Sequence, residues 1–388
     1  MSSTHPDVIV VGLGAVGSAA CHYLARAGAK VTGIDRFVPP HDRGSSHGLS
    51  RVTRLAVGEG EAYVPLAVRS HQLWRELEAR TGETLYRATG GLVISSAAAD
   101  AAAFHGAAGF FERTVQIARR CGIEHELLPA AAIRERYPQF AVCDDEQGYF
   151  EPAAGVLFPE RAVAAHLAEA KRHGATLRLG ERVLGFEARS EGSVEVATDC
   201  GRFTAARVVV AAGPWTPGLA GAMPPGLLRV QRQVLYWFRT TAPQWYAPEA
   251  CPVFIWMHGA GSAGSLYGMP MLDGIDGVKV ASEQYEATTD PDRVERRVTP
   301  EEVQGMYRTH VAGRVKGLLP EAARTATCLY TSTPDAMFRI RAHDVSPSVT
   351  VVSACSGHGF KHSAALGEAI AATVLGAAPP VPLAAWLL

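Results

Sequence analysis

The sequence predicts an α/β protein in which a doubly wound parallel sheet is interrupted by a second domain (α+β) built on an antiparallel sheet. Three observations predict it. Near-continuous β-branched runs occur at Asp7 to Gly12, Arg207 to Ala212 and Thr350 to Ala354, and such runs suit strands covered on both faces of a parallel sheet. Between them lie Val230 to Phe238, Val253 to His258, Ser265 to Met269 and Val278 to Ser282, rich in β-branched and aromatic residues and bounded by turn residues, as antiparallel strands are. The parallel-type runs return after the antiparallel ones, so the chain enters each domain more than once. The expected division is 1–86, 148–225 and 325–388 for the first domain, and 87–147 and 226–324 for the second.

The first element is the strand from Asp7. Gly12-Leu13-Gly14-Ala15-Val16-Gly17 follows at once. Ala19, Ala20, Tyr23, Leu24 and Ala27 then recur at helical spacing, and Gly28 sits where a helix C-cap would. A second strand, Lys30 to Ile34, ends in Asp35. Strand, Gly-rich turn, helix, strand and acid are the parts of a Rossmann-type dinucleotide-binding unit. Gly12 permits the tight turn, Gly14 admits a pyrophosphate to the helix N-terminus, and Gly17 allows close helix–strand packing. Asp35 would accept hydrogen bonds from an adenosine ribose. The motif leaves FAD and NAD both open. Arg36 lies near the adenine or in solvent, because the acid before it opposes a 2′-phosphate. Further on, helices are expected from Val64 to Arg80, Phe104 to Cys121, Ala130 to Arg136, Arg161 to His173, Thr299 to Lys316 and Ser363 to Val374, with short strands from Thr176 to Thr204.

Composition limits the function. In 388 residues, 37 Lys+Arg balance 38 Asp+Glu, which argues against a dedicated nucleic-acid binder. Gly, Pro or charge interrupts every apolar run, so no membrane span is expected. The N-terminus lacks a basic n-region and is not expected to be a signal peptide. Seven scattered Cys without C-x-x-C fit a cytoplasmic chain of reduced thiols and no metal site.

Several segments together resemble the monomeric sarcosine oxidase and N-methyltryptophan oxidase group of FAD-dependent amine oxidases. They are DVIVVGLGAVGSAACHYLARAG, PPHDRGSSHGLSRVTRLAVGEGEAYVPLA, EPAAGVLFPE, VVVAAGPWT, LYGMP, CLYTSTPDAMF and SGHGFKHSA. The resemblance implies an FAD domain beside an antiparallel-sheet domain, with the flavin between them. It implies covalent attachment of the flavin 8α-methyl to Cys328, whereas a Cys in a β-like run is by itself a small buried hydrophobe. Cys355 is the competing thiol. The implied reaction oxidises the C–N bond of a secondary amine by hydride transfer to flavin, and O2 is reduced to hydrogen peroxide. The implied enzyme is a monomer whose partners are a small-molecule amine and O2.

The resemblance also assigns residues. Arg54 and Lys361 match the pair that binds substrate carboxylate, and Arg51 matches an arginine stacked near the flavin. Lys279 matches the lysine that promotes oxygen reduction, where a fixed positive charge stabilises superoxide. Tyr267 and Tyr330 match tyrosines of the substrate cavity. Ser45 and His47 fall in the flavin-facing loop, and His47 sits by the ring without being an essential base. Val183, Gly213 and Trp215 match positions that approach FAD, as does the Gly357, Gly359, Phe360 and Lys361 turn, whose N–H groups can meet negative charge. The chain departs from the pattern at three places. Glu283 stands for a cavity histidine, Leu49 for an aspartate before Arg51, and Arg341 for another aspartate. Trp256 and Met257 are expected to reshape the pocket. Glu283 keeps a fructosyl amino acid or pipecolate-type oxidase in view, and a flavin dehydrogenase using another acceptor is the rival of different class.

Overall fold

The computed structural model describes residues 5–101, 108–189 and 192–387. A six-stranded sheet runs in the order Arg339–His343, Ser346–Ser353, Arg207–Val210, Val8–Val11, Val31–Asp35, Thr176–Leu179. Its four inner and far-edge pairings are parallel, and only the first two strands form an antiparallel hairpin. Val8 faces both Val31 and Arg207 in register, so Val8–Val11 is central and buried on both faces, as its β-branched sequence requires. The helix Ala15–Arg26 covers one face together with Pro159–Arg172 and Ser363–Val374. Gly367 makes that contact close, because a Cβ there would lie 2.5 Å from the Ala19 Cβ.

The second sheet has eight strands in the order Leu318–Ser332, Arg229–Thr240, Val278–Ala281, Ser265–Met269, Val253–Met257, Gly91–Ser96, Glu146–Glu151, Glu126–Pro129. It is antiparallel except where Val253–Met257 runs parallel to Gly91–Ser96. Its outer face carries an aromatic core that includes Phe140, Tyr236, Phe238, Phe254 and Trp256.

Some expected elements shift. The helix expected from Phe104 begins at Phe110, after Gly109 in the left-handed region; residues 104–107 lie outside the described residues. The helix expected to reach Lys316 is α-helical only over Pro300–Met306, continues as a π turn to Val311, and is started by a Thr299–Glu302 capping box. The fifteen-residue strand Leu318–Ser332 extends far beyond the short β-like run around Cys328. Its exposed half has no apolar alternation of its own, and pairing with Arg229–Thr240 forms it.

Candidate active site

The C-terminal ends of the parallel strands open into one cavity of about 860 Å3 that continues to the face of the eight-stranded sheet. At the strand end, Asp35 accepts from the Leu13 N–H at 2.7 Å and the Phe37 N–H at 2.8 Å. Gly12 has φ +85°, and a Cβ there would lie 2.6 Å from the Ala211 carbonyl oxygen. A Cβ on Gly17 would lie 1.8 Å from the Gly12 oxygen, so Gly17 serves helix–strand contact and does not border the cavity. At Gly14 a Cβ meets only the Ser46 hydroxyl, which also accepts from the Ala15 N–H at 3.1 Å at the start of the helix. Val16, Arg36, Val183, Gly213 and Trp215 border the same end.

The loop 44–51 forms the middle of the cavity wall. Its backbone is held from outside by two side chains. Glu160, in the first turn of Pro159–Arg172, accepts from the Gly48 and Leu49 N–H groups at 2.7 and 3.0 Å. Lys279 Nζ donates to the Gly48 and Ser50 carbonyls, both at 2.8 Å. Arg51 donates to the Ser45 carbonyl at 2.6 Å and to Cys328 Sγ at 3.4 Å, and Ser45 Oγ donates to the Leu329 carbonyl. Burial and the Arg51 charge push the Lys279 amine well below its ordinary pKa, while Cys328 and Glu160 oppose that. Burial first, then Arg51 and Lys279, lowers His47 to about 3, so it is neutral near pH 7. Burial raises the Cys355 thiol.

Further along, Arg54 and Lys361 converge on one carboxylate. Glu59 Oε2 receives Arg54 at 2.8 Å and Glu59 Oε1 receives Lys361 at 3.3 Å. All three side chains are at most 6 % exposed. Burial lowers Lys361 to about 8, and Glu59 limits the fall. Gly357, with φ +82°, lets the turn pass the opposite wall. A Cβ there would lie 2.6 Å from the Tyr285 hydroxyl, 3.0 Å from the Tyr330 ring and 3.1 Å from Glu283 Oε1. Gly359, likewise, has no room for a Cβ, which would lie 1.9 Å from the Ala354 oxygen. Burial, then the Glu283 charge, raises the Tyr285 phenol well above its ordinary value.

Residues 7–373 match the family model described as FAD dependent oxidoreductase. The chain belongs to that family. The oxidoreductase is 39% identical over 377 residues to a monomeric sarcosine oxidase of Streptomyces avermitilis, covering 96% of this chain and 94% of the relative. It is 32% identical to an N-methyl-L-tryptophan oxidase of Yersinia pestis, with 98% of each chain covered. The fold matches the open form of NikD, an amino acid oxidase, with TM-score 0.79 and 23% identity, covering 96% of this chain and 94% of that one.

FAD fits the oxidoreductase's cavity. The glycine cradle and Asp35 suit an adenosine diphosphate end, and the cavity extends from there past loop 44–51 to Gly357, Gly359, Phe360 and Lys361. Ser45, Arg51, Arg54, Tyr267, Glu283 and Tyr330 also border it. His47, Lys279 and Cys328 do not; His47 is buried within the loop, Lys279 and Cys328 lie behind it, and Cys328 is 1% exposed. Cys355 does border the cavity. The expected roles of Trp256, Met257 and Arg341 are corrected. Trp256 packs in the aromatic core and donates to Glu146, Met257 lies in the other core, and Ile255 borders the cavity instead. Alternation along Val253–Met257 puts Trp256 on the face opposite Ile255; Met257 shares the Ile255 face and is buried in the core beyond the cavity. Arg341, on the outermost strand, pairs with Asp344 and the Ala222 carbonyl and does not reach the site. Leu49 packs beside Leu235 and Trp237.

Sequence reading missed Glu59, Glu160 and Tyr285. Glu59 and Glu160 lie within the matching stretches, but nothing local says that Glu160 caps a loop or that Glu59 joins Arg54, five residues away, to Lys361, 302 residues away. Among the described residues, His22, Glu169 and His173 come within metal-ligating reach of one another, and none of them borders the cavity. Both Glu169 oxygens already receive Arg172, at 2.9 and 2.7 Å, and Arg80 and Arg26 add positive charge beside His22, which opposes a cation there. Among the described residues no helix is long and apolar enough to cross a membrane.

Proposed function

We propose that the chain is an oxidase of an N-methyl or cyclic secondary amino acid, a cytoplasmic monomer acting on a small-molecule amine and O2. The seat made by Arg54 and Lys361 carries the substrate class. One carboxylate, that of Glu59, already lies between these two buried cations beside the cavity, and a substrate carboxylate suits the same donors. Two donors on one carboxylate orient it as well as bind it. Relatives named for sarcosine and N-methyl-L-tryptophan support an N-methyl amino acid.

When bound, FAD would supply the acceptor for the hydride equivalent that leaves the carbon beside the amine nitrogen as C–N becomes C=N, and would pass those two electrons to O2, which with two protons gives hydrogen peroxide. The chain's own groups do the rest. Burial keeps the phenols of Tyr267 and Tyr330 protonated, so they line the cavity and do not act as bases. His47 is neutral and pinned in the loop. Lys279, matched by the resemblance to the lysine that promotes oxygen reduction, acts on the site through the Gly48 and Ser50 carbonyls of loop 44–51. Arg51 lies 3.4 Å from Cys328 Sγ, the sulfur that the resemblance matches to an 8α thioether. Glu283 beside Tyr285 favours a second reading, a fructosyl amino acid, whose sugar hydroxyls, absent from a pipecolate-type substrate, are extra polar groups to hold.

The test is an amine panel under anaerobic conditions, read as flavin bleaching, followed by oxygen consumption. N-methyl amino acids should bleach the flavin and oxygen should restore it with peroxide release. Bleaching only by fructosyl amines would favour the second reading. Bleaching that only an artificial acceptor reverses would identify a dehydrogenase.

A further inference from the structure

We propose that residues 288–297 form a strap, latched by Asp292, that closes over the adenosine end of the cofactor site and governs FAD loading and release. The inference rests on the FAD reading above. The base of the strap belongs to the eight-stranded sheet. Thr289 N donates to the Val230 carbonyl at 2.8 Å, and Thr327 Oγ1 donates to the Arg296 carbonyl at 2.8 Å. Its tip reaches the parallel-sheet half through polar contacts. Asp292 Oδ1 accepts from Arg36 at 2.5 Å and from the Trp215 indole at 2.7 Å. Arg296 donates to the Asp42 and Arg43 carbonyls at 3.0 and 2.7 Å.

Three features make this a latch on the cofactor. Asp292, Arg36 and Trp215 all border the cavity at the Asp35 end, so the strap lies across the place where an adenosine would sit. The Arg36 guanidinium stands 5.3 and 5.7 Å from the Phe37 and Trp215 rings, which fixes an aromatic wall there. The Arg36 and Asp292 side chains are 31% and 37% exposed, so water and salt reach the latch. Arg36 is thereby matched to Asp292 and withdrawn from any 2′-phosphate. With that pair neutralised, Asp35 at the strand end suits a ribose with free hydroxyls and opposes a phosphorylated one.

The test measures flavin release, not turnover. In a Cys328→Ala background, where any thioether to that sulfur is removed, release is followed by the rise of free-flavin fluorescence after dilution. Loss of two charge-assisted hydrogen bonds in Asp292→Ala should speed release about tenfold, and Asp292→Asn should fall between. Arg36→Ala added to Asp292→Ala should speed it little further. Raising salt from about 0.05 to about 0.5 M should speed release with Asp292 present and not without it. A general loss of stability would not reproduce that salt response. Hydrogen exchange in the protein that keeps Cys328 is the second measurement, and residues 288–297 should exchange faster in Asp292→Ala. Release and exchange unchanged by Asp292→Ala overturn the latch. A preparation that carries no flavin overturns the FAD reading beneath it.

Discussion

Lys361 should make carboxylate binding pH-dependent in the range where its amine titrates. Burial lowers its pKa from 10.5 to about 8. The protonated amine is the form that grips a carboxylate, so binding is full below the folded pKa and is lost as pH rises through it. The protonated fraction falls from about nine-tenths at pH 7 to about one-tenth at pH 9. The dissociation constant of a simple carboxylate without an amine, such as propionate, should therefore rise about tenfold across that interval, or about 1.4 kcal/mol. An amine-free ligand keeps the substrate's own titration out of the measurement. Flavin absorbance changes on anaerobic titration report the binding. Lys361→Arg should abolish the pH dependence, since a guanidinium stays charged throughout. A flat wild-type profile, or the same rise in Lys361→Arg, refutes Lys361 as the titrating cation of the site.

Other perturbations follow from the same geometry. Cys328→Ala should release its flavin on denaturation, whereas the unaltered chain should keep its yellow colour in the denatured protein. Lys279→Met, which removes the donor to the Gly48 and Ser50 carbonyls, should slow reoxidation by O2 about a hundredfold, the scale on which removing one preorganised donor acts, and leave anaerobic reduction by the amine little changed; stopped-flow measurement of the two half-reactions separates them. Gly48 has φ +96°, and a Cβ there would lie 2.6 Å from a Leu235 methyl. Gly48→Ala should cost about 1–3 kcal/mol of strain, seen as a lowered Tm, and should disturb Arg51 and Lys279 together.

The nucleotide end of the site was legible because its chemistry is local. Gly12, Gly14, Gly17 and Asp35 lie within one strand–turn–helix–strand unit, and backbone sterics and a helix N-terminus determine what that unit can hold. The substrate end was legible only through resemblance, because its groups come from distant segments. Arg54 and Glu59, just after the short strand Arg51–Thr53 outside the six-stranded sheet, meet Lys361 from the turn after Ser346–Ser353, and by pattern alone each is an ordinary surface charge. Trp256 was misjudged for a related reason: its strand alternates, and the sequence does not say which face is the cavity.

Apolar periodicity and glycine placement by themselves determined the parallel sheet, the dinucleotide cradle and the recurrence of two strand types along the chain. Those signals are local, since burial on two faces or a positive φ constrains each residue where it stands. Tertiary structure alone decided that Glu59 bridges the two cations, that Glu160 and Lys279 clamp loop 44–51 from behind, and that Asp292 joins Arg36 to Trp215. Charged side chains leave no periodic trace. Their partners are chosen by which loops the packed sheets bring together, and burial leaves Arg54, Glu59 and Lys361 each dependent on the others, since removing one partner strands a buried charge.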